Sequence, residues 1–346
     1  MIKKIKWAKA GHEEWLTQRR SVEGFGSLDT VRFGASDIGT IMGSSKWKCK
    51  LRLFEHVIGR HTTEWRTMKS VSGHRLEDVV AGYWENWHPN EEEFLFNIER
   101  DVKLRQTKKA NFFILNSKYP QLFASIDRLH NGETHSPFTG QLYDELTPIE
   151  LKTTQSAYYK LWSEGITQSY REQVMAQMML SGTKVAVFCV FISGEKFVAQ
   201  EIEYDSLLAE EIDYNTKEFQ QTCIAGKQLV DLINCSTSQT EKEEYMAMLE
   251  DISPEVSALE DEQALLKELN PNSLGTILGD ESDFKYLVDY QCAQDNIKEF
   301  EEAKQRAKNN ILSLMKDTEV MEFERGKVTW RRTPDKRDYF AIKLYK

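Results

Sequence analysis

Ala124-Ser-Ile-Asp127 and Ile149-Glu-Leu-Lys152 are the two short runs on which the reading of the fold turns. Both lie in strand-like stretches, Leu122 to Leu129 and Ile149 to Lys152. Residues two apart on a strand project from the same face, so Glu150 and Lys152 are expected side by side. If the strand bearing Asp127 pairs next to them, Asp127 and Glu150 converge on one position. Two carboxylates at one place repel each other unless a cation lies between them. A hard divalent ion such as Mg²⁺, which prefers oxygen ligands, would satisfy both and would activate a water or polarise a phosphate. Lys152 would orient that water or stabilise negative charge in the transition state. Taken alone, a Glu-x-Lys is more commonly a half-exposed strand pair, and Asp127 a surface acid near a turn.

The flanking sequence gives these runs a context. Upstream, Gly73-His-Arg-Leu-Glu77 opens a segment with Leu76, Val79, Val80, Tyr83, Trp84 and Trp87 at helical spacing, and Glu77 lies beside that apolar face. Further strands are expected at Phe112 to Leu115 and Val185 to Ile192, with a helix from about Gln168 to Leu180 before the last. On that helix Tyr170, Gln173 and Gln177 share a face with Val174. Nearer the start, a helix over Gly11 to Arg20, a Gly-rich turn, a short helix entered at Ser36 as N-cap and a helix over Lys50 to Ile58 are expected. Beyond residue 200 the pattern turns helical, over Leu207 to Cys235 and Lys285 to Lys316. The chain closes with a hairpin of Val320–Phe323 and Val328–Arg332.

In this order, helix acid, Asp-bearing strand, Glu-x-Lys strand and following helix, the sequence resembles the PD-(D/E)XK nucleases. Within them it is similar to the lambda-exonuclease or YqaJ-like phage recombination nucleases. Trp15-Leu-Thr-Gln-Arg19, Gly34-Ala-Ser-Asp-Ile-Gly39, the Lys46 to Gly59 region, Gly73-His-Arg-Leu-Glu77 and Tyr170-Arg-Glu-Gln173 carry the likeness, with the two runs quoted first. The resemblance implies an α/β (α+β) fold, a restriction-endonuclease-like core with a mixed central sheet flanked by helices. It implies Asp127, Glu150 and the Leu151 carbonyl as metal ligands, Lys152 as catalytic lysine and Glu77 as a supporting acid. Arg19, with Arg20 as a rival, and Ser36 would receive a DNA-end phosphate, and Tyr170 and Gln173 would face the active site or DNA. It further implies Mg²⁺, with Mn²⁺ substituting, as cofactor. The partners implied are duplex DNA ends, a phage-type single-strand annealing protein and further copies of the chain in a trimeric ring. Ile126 stands where the superfamily name has Pro, Asn131 to Pro148 lengthens the Asp-to-Glu connection as an extended hairpin, and Phe25 to Phe33 separates Arg19 from Ser36.

Composition bounds the rest. The chain has 346 residues, 40% hydrophobic and 29% charged, enough to bury a sizeable core and unlike a disordered or fibrous sequence. Its net charge of −10 is unevenly spread: residues 1–60 hold 12 Lys+Arg against 6 Asp+Glu, and residues 201–316 hold 10 against 26. The basic end would face nucleic acid, and the acidic part is an expected extension. The division anticipated is therefore a nuclease core over 1–205, an acidic helical arm over 206–316 and a terminal hairpin over 317–346 packing on the core. Five scattered cysteines without a Cys-x-x-Cys pair fit a reduced, cytoplasmic setting, and the resemblance implies a phage or prophage protein in a bacterial host. Neither a signal nor a membrane anchor is expected. The activity anticipated is digestion of one strand of linear duplex DNA from an end, 5′ to 3′. An endonuclease and a non-catalytic DNA-end binding module are the competing readings.

Overall fold

The apolar run Val185–Ile192 forms β8, buried on both faces as an interior strand must be. The computed structural model describes residues 1–6, 12–24, 31–61, 68–155, 165–193, 195–270, 279–331 and 339–345. Gly11, Phe25 and Arg332, named above, lie outside them. The chain divides into two units, Met1–Pro271 and Asn272–Lys346.

In the first unit the elements run β1 (Ile2–Lys6), α1 (His12–Glu23), β2 (Phe33–Gly34), α2 (Ile38–Ile41), α3 (Lys50–Val57), α4 (Met68–Asn86) and α5 (Glu91–Arg100). They continue with β3 (Thr107–Lys109), β4 (Phe112–Asn116), β5 (Leu122–Ser125), β6 (Arg128–His130), β7 (Ile149–Thr154), α6 (Gln168–Ser181), β8 and β9 (Lys196–Glu203). Helices α7 (Ser206–Cys235), α8 (Gln239–Ile252) and α9 (Glu260–Leu269) complete it. The strands form a four-stranded sheet, β1-β4-β5-β2, and a five-stranded one, β3-β6-β7-β8-β9. β7 and β8 are parallel, with Glu150 opposite Phe188, and α6 is the crossover between them. The mixed α/β architecture expected from the sequence is present.

Three details differ from expectation. The run Leu122 to Leu129 is two strands in two sheets, because the chain bends at Ile126–Asp127 as it leaves β5 for β6. Ser36 does not cap a helix. It sits inside a single 3-10 turn, Ala35–Asp37, whose entry residue is Gly34, and the four-residue α2 follows from Asp37. Asn131 to Pro148 forms no extended hairpin: apart from one isolated bridge, His135 to Leu142, it is turn and loop.

The acidic helices α7 to α9 are grouped with the first unit, where the sequence reading set 206–316 apart. Leu208, Ile212, Phe219, Cys223 and Leu229 of α7 are buried in the main core with Phe33, Phe54 and Val174. A Cβ at Gly226 would lie 2.8 Å from the Phe54 ring, so only glycine lets α7 approach α3 this closely. Arg52 of α3 holds α9 through Asp261 (2.9 Å) and Glu268 (2.9 Å). A smaller cluster packs Val80 and Trp84 of α4 on Ile149, Leu151, Val187 and Cys189, fixing α4 across β7 and β8.

The second unit holds α10 (Phe284–Met315) and a three-stranded antiparallel sheet of β10 (Val320–Phe323), β11 (Gly326–Arg331) and β12 (Tyr339–Leu344). The third strand makes a meander of the expected hairpin, and Met315, Gly326 and Val328 are buried among the described residues of this unit.

Candidate active site

The bend between β5 and β6 lifts Asp127 out of the strand pairing and turns it toward β7. There its Oδ2 accepts a hydrogen bond from the Leu151 backbone N–H at 2.9 Å. Register places Arg128 opposite Ile149, so Asp127 and Glu150 face one another across the end of the β6–β7 ladder. Lys152, two residues along β7, donates from Nζ to Glu150 Oε1 at 2.5 Å. This is the Asp … Glu-x-Lys arrangement expected of a PD-(D/E)XK core.

Helix α6 supplies the support from the opposite side. Gln173 donates to Glu150 Oε1 and Gln177 to Glu150 Oε2, each at 2.6 Å, so each carboxylate oxygen is held by its own amide. These are charge-assisted bonds in a water-poor place, since Glu150 is 2% exposed. Tyr170, one turn earlier, sets its ring 5.1 Å from the Lys152 ammonium. The sequence placed Tyr170, Gln173 and Gln177 on one face, and the resemblance aimed Tyr170 and Gln173 at the active site or DNA. The structure shows that this face meets Glu150 and Lys152.

Charge is unbalanced here. Burial, and next the negative charge of Glu150, push the Asp127 carboxyl well above the ordinary carboxylate range, Glu77 adds to the effect, and Lys152 opposes it. For Lys152 burial works the other way, yet Glu150 and Asp127 outweigh it and hold the ammonium protonated. Glu77 reaches the site from α4, its Oε1 paired with His74 Nδ1 at 2.7 Å. That partner was readable as the i, i+3 spacing within Gly73-His-Arg-Leu-Glu77, and burial is not what keeps it there, since His74 is exposed.

Arg19, Ser36, Glu77, Asp127, Glu150, Leu151, Lys152, Tyr170 and Gln173 all line one cavity of about 460 Å³, and of the two rival arginines it is Arg19, not Arg20, that does so. Ser125 and His74, which the sequence reading did not single out, line it as well. Arg19 arrives there already committed. Its guanidinium is paired with Glu23 (2.7 Å) and Asp37 (3.5 Å) and lies over the rings of Trp15 and Phe123. Burial alone would raise the Asp37 carboxyl, but Lys48 at 2.9 Å and Arg19 hold it below its usual value. Gly34 makes room for this cluster, because a Cβ there would lie 2.9 Å from the Arg19 guanidinium. A second cavity, of about 950 Å³, adjoins the first through Gly73, Thr153 and Tyr170 and carries the exposed indole of Trp47.

The donor set suits a hard cation. Asp127 and Glu150 offer only oxygen, and the mutual repulsion that raises Asp127 is what a divalent ion between them would relieve. Among the described residues no three His, Cys, Asp or Glu side chains cluster closely enough to hold a metal ion by themselves. The remaining ligands would therefore be the Leu151 carbonyl, water and the substrate phosphate.

The chain is 29% identical over 243 residues to an uncharacterized protein, YqaJ, of Bacillus subtilis (strain 168), a match over 69% of this chain and 63% of that protein. It thus spans less than two thirds of that relative's length. Among solved structures it is similar to an alkaline exonuclease from Laribacter hongkongensis, with 16% identity over 63% of this chain and 96% of that one and a TM-score of 0.44. It is also similar to a phage related exonuclease from Haemophilus somnus 129PT, with 12% identity, 59% and 97% coverage and a TM-score of 0.34. Residues 14–184 match the family of YqaJ-like viral recombinase domains. No helix among the described residues is long and apolar enough to cross a membrane. All the residues that line the 460 Å³ cavity fall between 14 and 184, the stretch that is similar to the YqaJ-like viral recombinase domains.

Proposed function

We propose that this chain is a metal-dependent DNA exonuclease that digests one strand of linear duplex DNA from an end, 5′ to 3′, leaving a single strand for phage-type recombination. The observation that carries the reading is the meeting of Asp127, Glu150 and Lys152 in one cavity, with both oxygens of Glu150 fixed by Gln173 and Gln177. A surface ion pair has no need of two buried amides to aim it.

Asp127, Glu150 and the Leu151 carbonyl would hold the ion, Mg²⁺ or Mn²⁺ in its place, with Glu77 supporting a bound water. Bound there, the ion supplies neutralisation of phosphate charge and a more acidic water. The chain's own residues do the rest. Lys152, kept protonated, faces the place where negative charge develops on the phosphate and stabilises it. Gln173 and Gln177 keep Glu150 in one rotamer. Ser36, exposed at the cavity rim, and Arg19 would receive the end phosphate, which has to compete with Glu23 and Asp37 for the guanidinium. The 950 Å³ groove beside Tyr170 is large enough for nucleotides of the strand being cut, and the Trp47 indole offers a stacking face.

The setting we propose is the cytoplasm of a bacterial host carrying the phage or prophage. The partners proposed are duplex DNA ends, a single-strand annealing protein docked on the acidic helices α7 to α9, and further copies of the chain in a ring.

The test uses linear duplex DNA labelled separately at its 5′ and 3′ termini, beside a closed circle, with Mg²⁺, Mn²⁺ or EDTA. Metal-dependent loss of one strand from 5′ ends, an untouched circle and no digestion by Lys152→Ala are expected. Cut circles would move the chain to the endonucleases. DNA bound but never cut with any divalent ion would leave an end-binding module.

A further inference from the structure

Helix α10, 32 residues and about 48 Å long, carries an apolar stripe that the second unit by itself leaves in the open. Tyr286, Tyr290, Ile297, Phe300 and Leu314 are each 59–74% exposed, and Phe300 is the most exposed at 74%. Soluble helices seldom present such a row to water without a partner.

The row has a strict period. Tyr286, Tyr290, Ala293, Ile297, Phe300, Lys304, Ala307, Ile311 and Leu314 are separated by alternating steps of four and three residues. That 3.5-residue repeat, held over four heptads, keeps one seam facing another helix in a left-handed supercoil, which a helix packed on a globular core does not require. Of the seam residues only Ile311 is half-buried, at the end where Lys308 lies over the Phe340 ring.

The charges say which helix fits. Residues 284–302 hold five acids and two lysines, a net −3, whereas residues 303–315 hold Lys304, Arg306 and Lys308 with no acid, a net +3. Among the described residues none of these groups forms an ion pair within the chain. A second α10 running the opposite way lays each acidic portion on a basic one.

Side-chain size gives the same answer. In an antiparallel pair the seam positions oppose in the order Ile297 with Phe300, Ala293 with Lys304, Tyr290 with Ala307 and Tyr286 with Ile311. Small thus meets large, and Lys304 comes beside Asp289 of the second copy. A parallel pair would set Ala293, Lys304 and Ala307 each against itself, leaving two gaps and facing two ammonium groups across the seam.

We propose that α10 is a self-association surface, and that its occupant is α10 of a second copy of this chain in antiparallel register centred on Ile297 and Phe300. The pair joins two chains whatever stoichiometry the nuclease core has by itself, and the proposal is independent of the chemistry at Asp127.

The test measures the mass of the full-length protein by sedimentation, with Phe300→Glu as the variant. Glutamate is a good helix former, so circular dichroism should be unchanged while the mass falls by half. The wild-type association should weaken with added salt, as attraction between opposite ends of the helix requires. Spin labels on Cys292, in a Cys235→Ser background, read the direction. The antiparallel register separates them by about 20 Å along the axis, against about 10 Å between neighbouring helices in a parallel pair. A mass that Phe300→Glu leaves unchanged, whether that of one chain or of several, overturns the surface. Labels at the short distance overturn the antiparallel arrangement.

Discussion

Acidification should weaken the first unit through one imidazole. His130 ends β6, three residues from Asp127, and is 5% exposed. Its ring stacks on Tyr143 at 4.5 Å and its Nε2 accepts from the Trp84 indole N–H at 3.4 Å, while Nδ1 has no partner among the described residues. Burial first, and then the Arg105 guanidinium, lower its pKa from the ordinary 6.5 to about 4. Between these values the unfolded chain binds a proton that the folded one refuses. The stability due to neutral His130 is therefore complete above about pH 6.5 and is lost as pH falls toward 4. At pH 5 the loss is about 2 kcal/mol, or roughly 5 °C in melting temperature for a unit of this size. Physically, the added proton turns Nε2 into a donor facing the Trp84 donor, beside Arg105. The assay compares urea unfolding of wild type and His130→Gln at pH 7 and pH 5. The glutamine variant should be weaker at pH 7 yet lose about 2 kcal/mol less between the two. Equal losses in both proteins would refute the assignment.

Other perturbations follow from single contacts. Gln177→Leu removes a 2.6 Å charge-assisted bond from Glu150 and should cost about 2 kcal/mol of stability. Cleavage should fall more steeply than substrate binding, and parallel losses would deny Gln177 a role in aiming the carboxylate. Gly34→Ala pushes its methyl against the Arg19 guanidinium and the Phe123 ring. About 1–3 kcal/mol is expected in a melting experiment, together with loss of any preference for a 5′-phosphorylated end. An unchanged preference would remove Arg19 from the phosphate site. Arg52→Met breaks the pairs that hold α9 on α3 and leaves Asp261 uncompensated, so amide exchange in Glu260–Leu269 should speed up while that in β7 and β8 stays slow. Uniform exchange throughout would show that α9 is not held by this residue.

How much of this was legible beforehand depends on the range of the interactions. Val185 to Ile192 and Gln168 to Leu180 announced themselves because burial writes a period into the sequence, and strand geometry put Glu150 beside Lys152, while the arrival of Asp127 depended on which strands pair and was supported by the family resemblance. The break at Ile126–Asp127 was hidden, since Leu122, Phe123 and Leu129 are apolar on either side and nothing local marks a change of sheet. The capping role assigned to Ser36 failed because Asp37, next to it, is claimed by Lys48 and Arg19, partners distant in the chain. The acidity of α7 misled in another way. Its outward residues carry the charge, while Leu208, Ile212 and Phe219 at helical spacing carry it into the core. Strand β12 was missed because its run, Tyr339 to Leu344, gains meaning only from pairing with β11.

The loop between Asp127 and Glu150 has an evolutionary and practical reading. Asp127 and Glu150 are placed by the ends of β6 and β7, and the connection between them is tied down by Phe138 on Trp87 and Tyr143 on His130, leaving Thr139 to Leu142 outside. Lengthening a flexible tip twofold costs only about 0.6 kcal/mol in closure entropy. Lineages can therefore graft new segments at Gly140–Gln141, beside the chemistry, without moving it. The same bond is the natural place to open the chain and join its old ends elsewhere, or to splice in a fluorescent reporter.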